Sequence, residues 1–362
     1  MYSIIKSFLI IVSIMVLILL LLGLLPNFFY FVHAQNCSTC VESGNIWCVE
    51  SAECNDTFSS CQTQISLQLN CPTLPNPKYA YDDSFMRTQQ LVLASASHCD
   101  NPQRCFDSQI PTIKVLSVRT VNCSANSEEV TCMGYTAYDV SRKIIILSFR
   151  GSKGPYQNQQ MADGMASGGL LNYFGHSGKI FKLGYDYFQL LWNGGMQQDL
   201  RSLKYKYPGF ELWINGHSLG GMLSWVASSY LVTSGLYKPE DIKVVAFGSP
   251  RLGDYDFSVW YTQTFPYSYH IIHRLDLIPR VPVIDPHTNT TVLFHPRTEV
   301  WYNNYMKIDD PYQICEEADG NYCSAAVTEG LTMTDHGYYF NVNMPAWGRD
   351  GCPQNISDYA QL

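Results

Sequence analysis

Residues 211–232 constrain the fold more than any other stretch: a short apolar strand (211–215), the turn Gly216-His217-Ser218-Leu219-Gly220, and an apolar helix over 219–232. The same alternation runs along much of the chain. Residues 143–149 (KIIILSF) form a continuous apolar run, as expected of a strand covered on both faces. Residues 242–247 and 269–274 read as further strands. Residues 83–96, 183–205 and about 254–264 carry apolar side chains near helical spacing, with Gly194-Gly195 a predicted kink in the second. Strand and helix in alternation mean βαβ units, so the expected fold class is α/β: a mostly parallel sheet with helices on both faces. Catalytic groups in such folds sit at the carboxyl ends of strands.

The turn at 216–220 carries chemistry. G-x-S-x-G arises often by chance, but a strand before it and a helix after it are the context of a nucleophile elbow. Such a turn forces Ser218 into strained backbone geometry, and only glycine at 216 and 220 lets strand and helix approach. A serine hydroxyl is a poor nucleophile until a histidine takes its proton, and that histidine needs an acid to fix its tautomer. In this sheet class the order along the chain is Ser, then Asp or Glu, then His. Asp276 lies just past the strand 269–274, Asp285 is its rival, and Asp254 fits a helix start. Downstream stand His287, His295 and His336, the second in a stretch (291–302) that reads as a hairpin and the third in a loop-like Asp335-His336-Gly337. Residue pattern alone leaves that choice open.

The termini and cysteines bound the compartment. Lys6 precedes an 18-residue apolar run from Phe8 to Leu25, then Pro26 and Val32-His33-Ala34, whose spacing suits signal peptidase. Residues 1–34 read as a targeting segment, with an uncleaved membrane anchor as the alternative because the run spans about 27 Å as a helix. The expected localisation is secreted, extracellular or lumenal, in keeping with five Asn-x-Ser/Thr sequons at Asn36, Asn55, Asn122, Asn289 and Asn355. Six of 13 cysteines crowd into 37–71, so 35–72 reads as a three-disulfide module, with a zinc site as the competing reading. Cys37-x-x-Cys40 with Trp47-Cys48 loosely resembles a plexin-type cysteine-rich repeat. Pro72, Pro75 and Pro77 read as a linker into a larger domain, 73–362. A net charge of −8 argues against nucleic acid as a partner. No metal-ligand spacing is visible, so His270 and His273 read as strand residues and no cofactor is expected.

Five ordered blocks decide the rest: Phe149-Arg150-Gly151-Ser152, Gly216 to Gly221, Phe247-Gly248-Ser249-Pro250-Arg251, Asp276-Leu277-Ile278-Pro279-Arg280-Val281-Pro282, and Asp335-His336. Together they resemble the fungal-type (class 3) lipase family over about 79–352. The resemblance implies an α/β-hydrolase fold, Ser218 as nucleophile, Asp276 as acid and His336 as base. It implies an oxyanion hole from Ser152 and the backbone N–H of Leu219, and a lipid or other ester substrate met at a lipid–water interface. It also implies disulfides Cys99–Cys352 and Cys315–Cys323. Cys123 and Cys132 flank a turn-rich stretch and fit a hairpin bridge, which leaves Cys105 over. Arg150 reads as half of a structural ion pair, and His217 as a packing and turn residue. Residues 153–177 take the place of the family's lid without its Trp; their five glycines and apolar Met161, Met165, Leu170, Leu171 and Phe174 fit either a mobile flap or a fixed loop. The expected function is a secreted serine carboxylester hydrolase, foremost a triacylglycerol lipase, with phospholipase or small-ester esterase as variants of the same chemistry. The alternative from another class is an extracellular binding protein with an inert hydrolase domain; the presence of all three triad residues favours the enzyme. The oligomeric state is left open.

Overall fold

The computed structural model describes residues 36–57, 60–71, 76–124, 127–166, 169–172, 178–282, 293–315, 319 and 323–361. The targeting segment, Asn289, Asp285 and His287 lie outside the described residues. The chain divides into two compact units, Met1–Cys71 and Pro72–Leu362.

In the first unit, Asn36 caps the helix Cys37–Glu42 by accepting from the Thr39 N–H at 2.9 Å. A three-stranded sheet follows, with Ile46–Cys48 between Glu53–Asn55 and Gln64–Ile65. Its core is little more than Cys37, Ile65 and Cys71 with Val41 and Trp47 beside them. So small a core holds a fold only when stapled. The staples are Cys37–Cys71, Cys40–Cys54 and Cys48–Cys61.

The second unit is built on eight strands: β1 (Lys114–Asn122), β2 (Thr131–Asp139), β3 (Ile144–Phe149), β4 (Glu211–His217), β5 (Ile242–Phe247), β6 (Ser268–His273), β7 (Glu299–Tyr302) and β8 (Gln313–Cys315), lying side by side in chain order. β3 through β7 pair in parallel, while β1, β2 and β8 add antiparallel edges. Successive side chains of a strand point to opposite faces, and the two faces bury two separate cores. Ile145, Leu147, Phe149, Leu212, Ile214, Val244 and Ala246 enter one. Ile144, Ile146, Trp213, Val245 and Phe247 enter the other. Helices α1 (Leu91–Ala96) and α2 (Gln103–Gln109) cover the second core. On the first core lie α4 (Lys182–Leu191), α5 (Gln197–Lys206), α6 (Leu219–Thr233) and α7 (Tyr255–Thr264). α3 (Gly154–Ala166) is described with the site below. α1 continues a π turn over Met86–Gln90, and α4 and α5 are joined by another whose Gly195 has φ 125°, the kink expected from sequence.

Two sequence expectations need correction. The described residues 293–302 do not form a hairpin: β7 pairs in parallel with β6 and antiparallel with β8, while Phe294 bridges Gly253. Alternation within a short stretch cannot say which strand lies beside it. The second correction concerns Cys352, whose partner is Cys105 and not Cys99. α2 starts only after Pro102 and carries Cys105 to a Cα separation of 4.6 Å from Cys352. Cys99 is a buried free thiol whose Sγ donates to the Asn101 carbonyl at 3.1 Å. Cys123–Cys132 and Cys315–Cys323 pair as expected. Cys105 and Cys352 stand 247 residues apart, and a loop that long is worth about 5 kcal/mol in the chain-entropy model. Cys105→Ser should therefore lower the urea midpoint sharply while Cys99→Ser changes it little, and non-reducing peptide mapping should recover Cys105 with Cys352.

Candidate active site

β4 ends at His217, and Ser218 follows with φ 57° and ψ −126°, the strained turn that only a tight strand-to-helix junction imposes. The Ser218 N–H donates to the Phe247 carbonyl at 2.8 Å, tying the turn to β5. A Cβ at Gly216 would fall on the Gly220 carbonyl, and one at Gly220 on that of Phe149. Both closures need glycine. Leu219 opens α6, so its amide has no acceptor one turn back. Neither it nor the Ser152 amide finds an acceptor among the described residues. The Ser152 hydroxyl donates to Asn158 Oδ1 at 2.5 Å.

Beyond β6 the chain turns at Arg274 (φ 38°), and Asp276 comes to rest with no exposed surface. The His336 Nδ1–H donates to both of its oxygens, at 3.0 and 2.9 Å, which leaves Nε2 as the ring's proton acceptor. Two more donors hold the carboxylate: the Ile278 N–H at 2.9 Å and the Tyr339 hydroxyl at 2.5 Å. Burial first, and the Asp276 charge second, keep the Tyr339 hydroxyl protonated well above the ordinary phenol range, so it remains a donor. Thr332 locks the two loops together by donating to the Leu275 carbonyl at 2.8 Å and accepting from the Leu277 N–H at 3.3 Å.

Ser218, His336, Ser152 and Leu219 line one cavity of about 870 Å³. Asp276 reaches that cavity only through His336. The sequence thus names five residues that the fold brings together. It did not single out Tyr339, whose only mark is a position three residues after His336, nor Gly248. At Gly248 φ is +53°, and a Cβ there would strike the Tyr339 hydroxyl and lie 2.6 Å from Asp276 Oδ2 and 3.1 Å from His336 Nδ1. His217 does more than pack: its Nε2–H donates to the His336 carbonyl at 2.7 Å, and its ring stacks on that of His336 at 4.5 Å. Burial, with the His336 and His98 rings nearby, holds His217 neutral.

Tyr339→Phe removes one charge-assisted hydrogen bond from Asp276. A bond of that kind is worth about 1.5–3 kcal/mol, so kcat should fall at least about tenfold with KM little changed, as read by steady-state kinetics.

The other candidates lie elsewhere. Asp254 caps α7, accepting from the Phe257 N–H at 3.0 Å. His295 belongs to a separate buried network, its Nδ1 2.8 Å from Asp319, which Arg251 also binds at 2.8 Å. Against the cost of its burial, His295 and Arg251 beside it hold the Asp319 carboxyl far below the usual carboxylate range. His270 accepts from the Ser249 N–H at 3.0 Å, and His273 donates to the Asp335 carbonyl at 3.0 Å, both from β6. Arg150 departs from expectation. It makes no ion pair among the described residues; one guanidinium nitrogen donates to the Thr131 carbonyl and hydroxyl, at 2.6 and 3.0 Å, because β2 rather than an acidic element flanks the end of β3.

Comparison with known proteins places the chain in a family. Residues 146–285 match the model of the family described as Lipase (class 3). The chain is 51% identical over 257 residues to uncharacterized protein C40H1.2 of Caenorhabditis elegans, covering 71% of this chain and 92% of that protein. The chain belongs to the class 3 lipase family. Within that family, the Secreted mono- and diacylglycerol lipase 1 of Fusarium solani is 27% identical over 69% of this chain and 74% of its own. The crystal structure of the Rhizopus microsporus var. chinensis lipase superposes with a TM-score of 0.60 at 21% identity, over 76% of this chain and 91% of that one, which shows the α/β-hydrolase fold. As a class 3 lipase the chain is a carboxylic ester hydrolase.

Proposed function

We propose that the protein is a secreted lipase that hydrolyses acylglycerol esters, triacylglycerol foremost, through an acyl-enzyme on Ser218. The observation that carries this reading is the shared cavity: Ser218 on its strained turn and His336 held by Asp276 face the same space as the unpaired amides of Ser152 and Leu219. His336 Nε2 takes the Ser218 proton as Oγ attacks the ester carbonyl, then returns it to the leaving alcohol; water repeats the sequence to free the acid. The two amides stabilise the tetrahedral oxyanion, each worth about 3 kcal/mol of barrier. Asp276 orients His336 and stabilises its imidazolium.

The cavity wall supports an acyl chain, with Met161 and Met165 from α3 lining it together with Ile278 and Val281 from the turn after the acid and Met333 from the short helix Met333–Gly337, which carries the base in place of the loop expected from sequence. α3 is most of the described part of the 153–177 segment, whose Leu170–Asn172 forms a short strand paired antiparallel with Lys179–Phe181; Gly164 lies inside α3, where its missing Cβ lets the helix close on Phe181 and Leu183. In this reading α3 is a lid over the acyl site. Twelve cysteines in six disulfides, and the secreted fungal relative, support an oxidising compartment outside the cytosol. Residues 1–34 then serve as the targeting segment, 35–72 as a separate disulfide module and 73–362 as the hydrolase.

The test is the rate against tributyrin concentration through its solubility limit. A jump as droplets form is expected of a lid that uncovers apolar surface at an interface. Smooth saturation below the limit would assign a small-ester esterase, and no hydrolysis on any ester would favour the binding-protein reading.

A further inference from the structure

One wall of the catalytic cavity is held from behind by a distant part of the chain. Pro250, Ile278, Val281 and Pro282 line the cavity. The last three follow Asp276 on a single turn, and the Ile278 N–H holds the acid at 2.9 Å. Arg251 comes directly after Pro250, yet its buried side chain does not line the cavity. Its backbone N–H donates to the Val281 carbonyl at 3.1 Å, and one guanidinium nitrogen donates to the Arg280 and Pro282 carbonyls, both at 2.7 Å. One residue therefore holds three successive carbonyls of the wall. The turn belongs to no strand, so no sheet ladder could satisfy them.

The other contacts of Arg251 lead to Asp319. Its Nε and its second terminal nitrogen donate to one carboxylate oxygen, at 3.0 and 2.8 Å. The second oxygen of Asp319 accepts from the His295 N–H at 2.9 Å. Asp319 stands midway between Cys315 and Cys323, which a disulfide joins across a separation of 8 residues. Ser324, next to Cys323, supplies a second link: its hydroxyl accepts from the Arg280 guanidinium at 2.7 Å, and its N–H donates to Glu299 on β7 at 2.9 Å. Two arginines on the wall thus end on one stapled loop and its flank. The planar fork of Arg251 reaches the carbonyls on one side and the carboxylate on the other, which a single ammonium nitrogen cannot do in the same geometry.

We propose that the Cys315–Cys323 loop sets the acyl selectivity of the site from a distance: Asp319 fixes Arg251, and Arg251 fixes Val281 and Pro282 as a firm wall for the acyl chain. Neither Asp319 nor Arg251 touches substrate, so both are positioning residues. An acetyl group bound at Ser218 ends short of this wall, whereas an octanoyl group lies along it. Loosening the brace therefore weakens the hold on the longer chain and spares the shorter one. Asp276 keeps its bonds to His336 and Tyr339, which do not pass through Arg251. This rests on the proposed ester hydrolysis at Ser218 and adds what decides its chain-length preference.

The full chain is compared with Arg251→Lys, which keeps a cation beside Asp319 but gives up the fork, and with the double variant Cys315→Ser/Cys323→Ser, which keeps both arginines but removes the staple. Each is assayed on dissolved p-nitrophenyl acetate and p-nitrophenyl octanoate, with thermal melts to show that it is folded. The octanoate to acetate ratio of kcat/KM should fall about tenfold in both variants, the cost of losing wall contact with one or two methylenes, while kcat on acetate stays near the parent value. Cys105→Ser is the control, because its disulfide belongs to the opposite core; it should lower the melting temperature and leave the ratio alone. Either variant, once folded, carries the test by itself. A parent-like ratio in a folded variant overturns the proposal, and so does an equal fall in Cys105→Ser, which would make the effect one of general loosening. Hydrolysis of both esters with an unchanged ratio defeats this inference alone, whereas no hydrolysis of either ester by the parent defeats the proposed function itself.

Discussion

Ser218→Ala should lower ester turnover by at least about three decades while the protein keeps its fold, because in the proposed mechanism Ser218 is the nucleophile of a triad that acts as a unit, and loss of one member removes nearly all the unit's contribution. The fold is spared for a local reason. The strained turn is closed by Gly216 and Gly220 against the carbonyls of Gly220 and Phe149, and by the Ser218 N–H bond to Phe247. None of these uses the hydroxyl. Circular dichroism and the urea midpoint of the variant should match the parent, and its rate on p-nitrophenyl butyrate should approach the background. A purified, folded Ser218→Ala protein with near-parent turnover would remove Ser218 from the mechanism. His336→Ala and Asp276→Asn should fall in the same range, whereas His295→Ala, which sits in the Arg251–Asp319 network and does not line the cavity, should act on stability and leave the chemistry largely in place.

Gly248→Ala should be nearly as damaging although residue 248 touches no substrate. Its φ of +53° is unfavourable for any residue with a side chain, and the added methyl would occupy the space where Tyr339, Asp276 and His336 meet. Those three groups are buried and packed, so they must move apart, and a displacement of about 1 Å in a catalytic group costs on the order of a hundredfold in rate. The expected result is a kcat lowered by about two decades together with a lower melting temperature. Parent-like kcat in Gly248→Ala would mean that the Asp276–His336 contact is not required at its observed geometry.

The parallel core of the fold was legible in sequence because its signals are local and strong. β3 and β5 are apolar runs broken only by Ser148 and Lys243, α6 is mostly apolar with a few serines, and Gly216 and Gly220 bracket a serine between strand and helix. The antiparallel edge was harder to read. β1 alternates exposed and half-buried residues, and β2 spends its buried positions on Cys, Gly, Thr and Tyr as well as apolar residues, so neither has the hydropathy of a core strand. β7 was visible as a strand, but its partners were set by segments distant in sequence, and hydropathy carries no information about which strand lies alongside.

At the site the division is the same. Sequence order and block resemblance determined the candidates Ser218, Asp276, His336, Ser152 and Leu219, because each stands in a motif whose backbone demands are written in its neighbours. Tertiary structure alone decided what surrounds them: the Tyr339 hydroxyl on Asp276, the space at Gly248 and the His217 bond to the His336 carbonyl. It also decided that Cys352 meets Cys105 and that, among the described residues, Arg150 meets Thr131 rather than a carboxylate. The physical reason is reach. A turn, a cap or a buried strand is fixed by residues a few positions apart, whereas a shared hydrogen bond, a disulfide or a cavity wall joins residues tens to hundreds of positions apart, and only the packed sheet and its helices settle which of them meet.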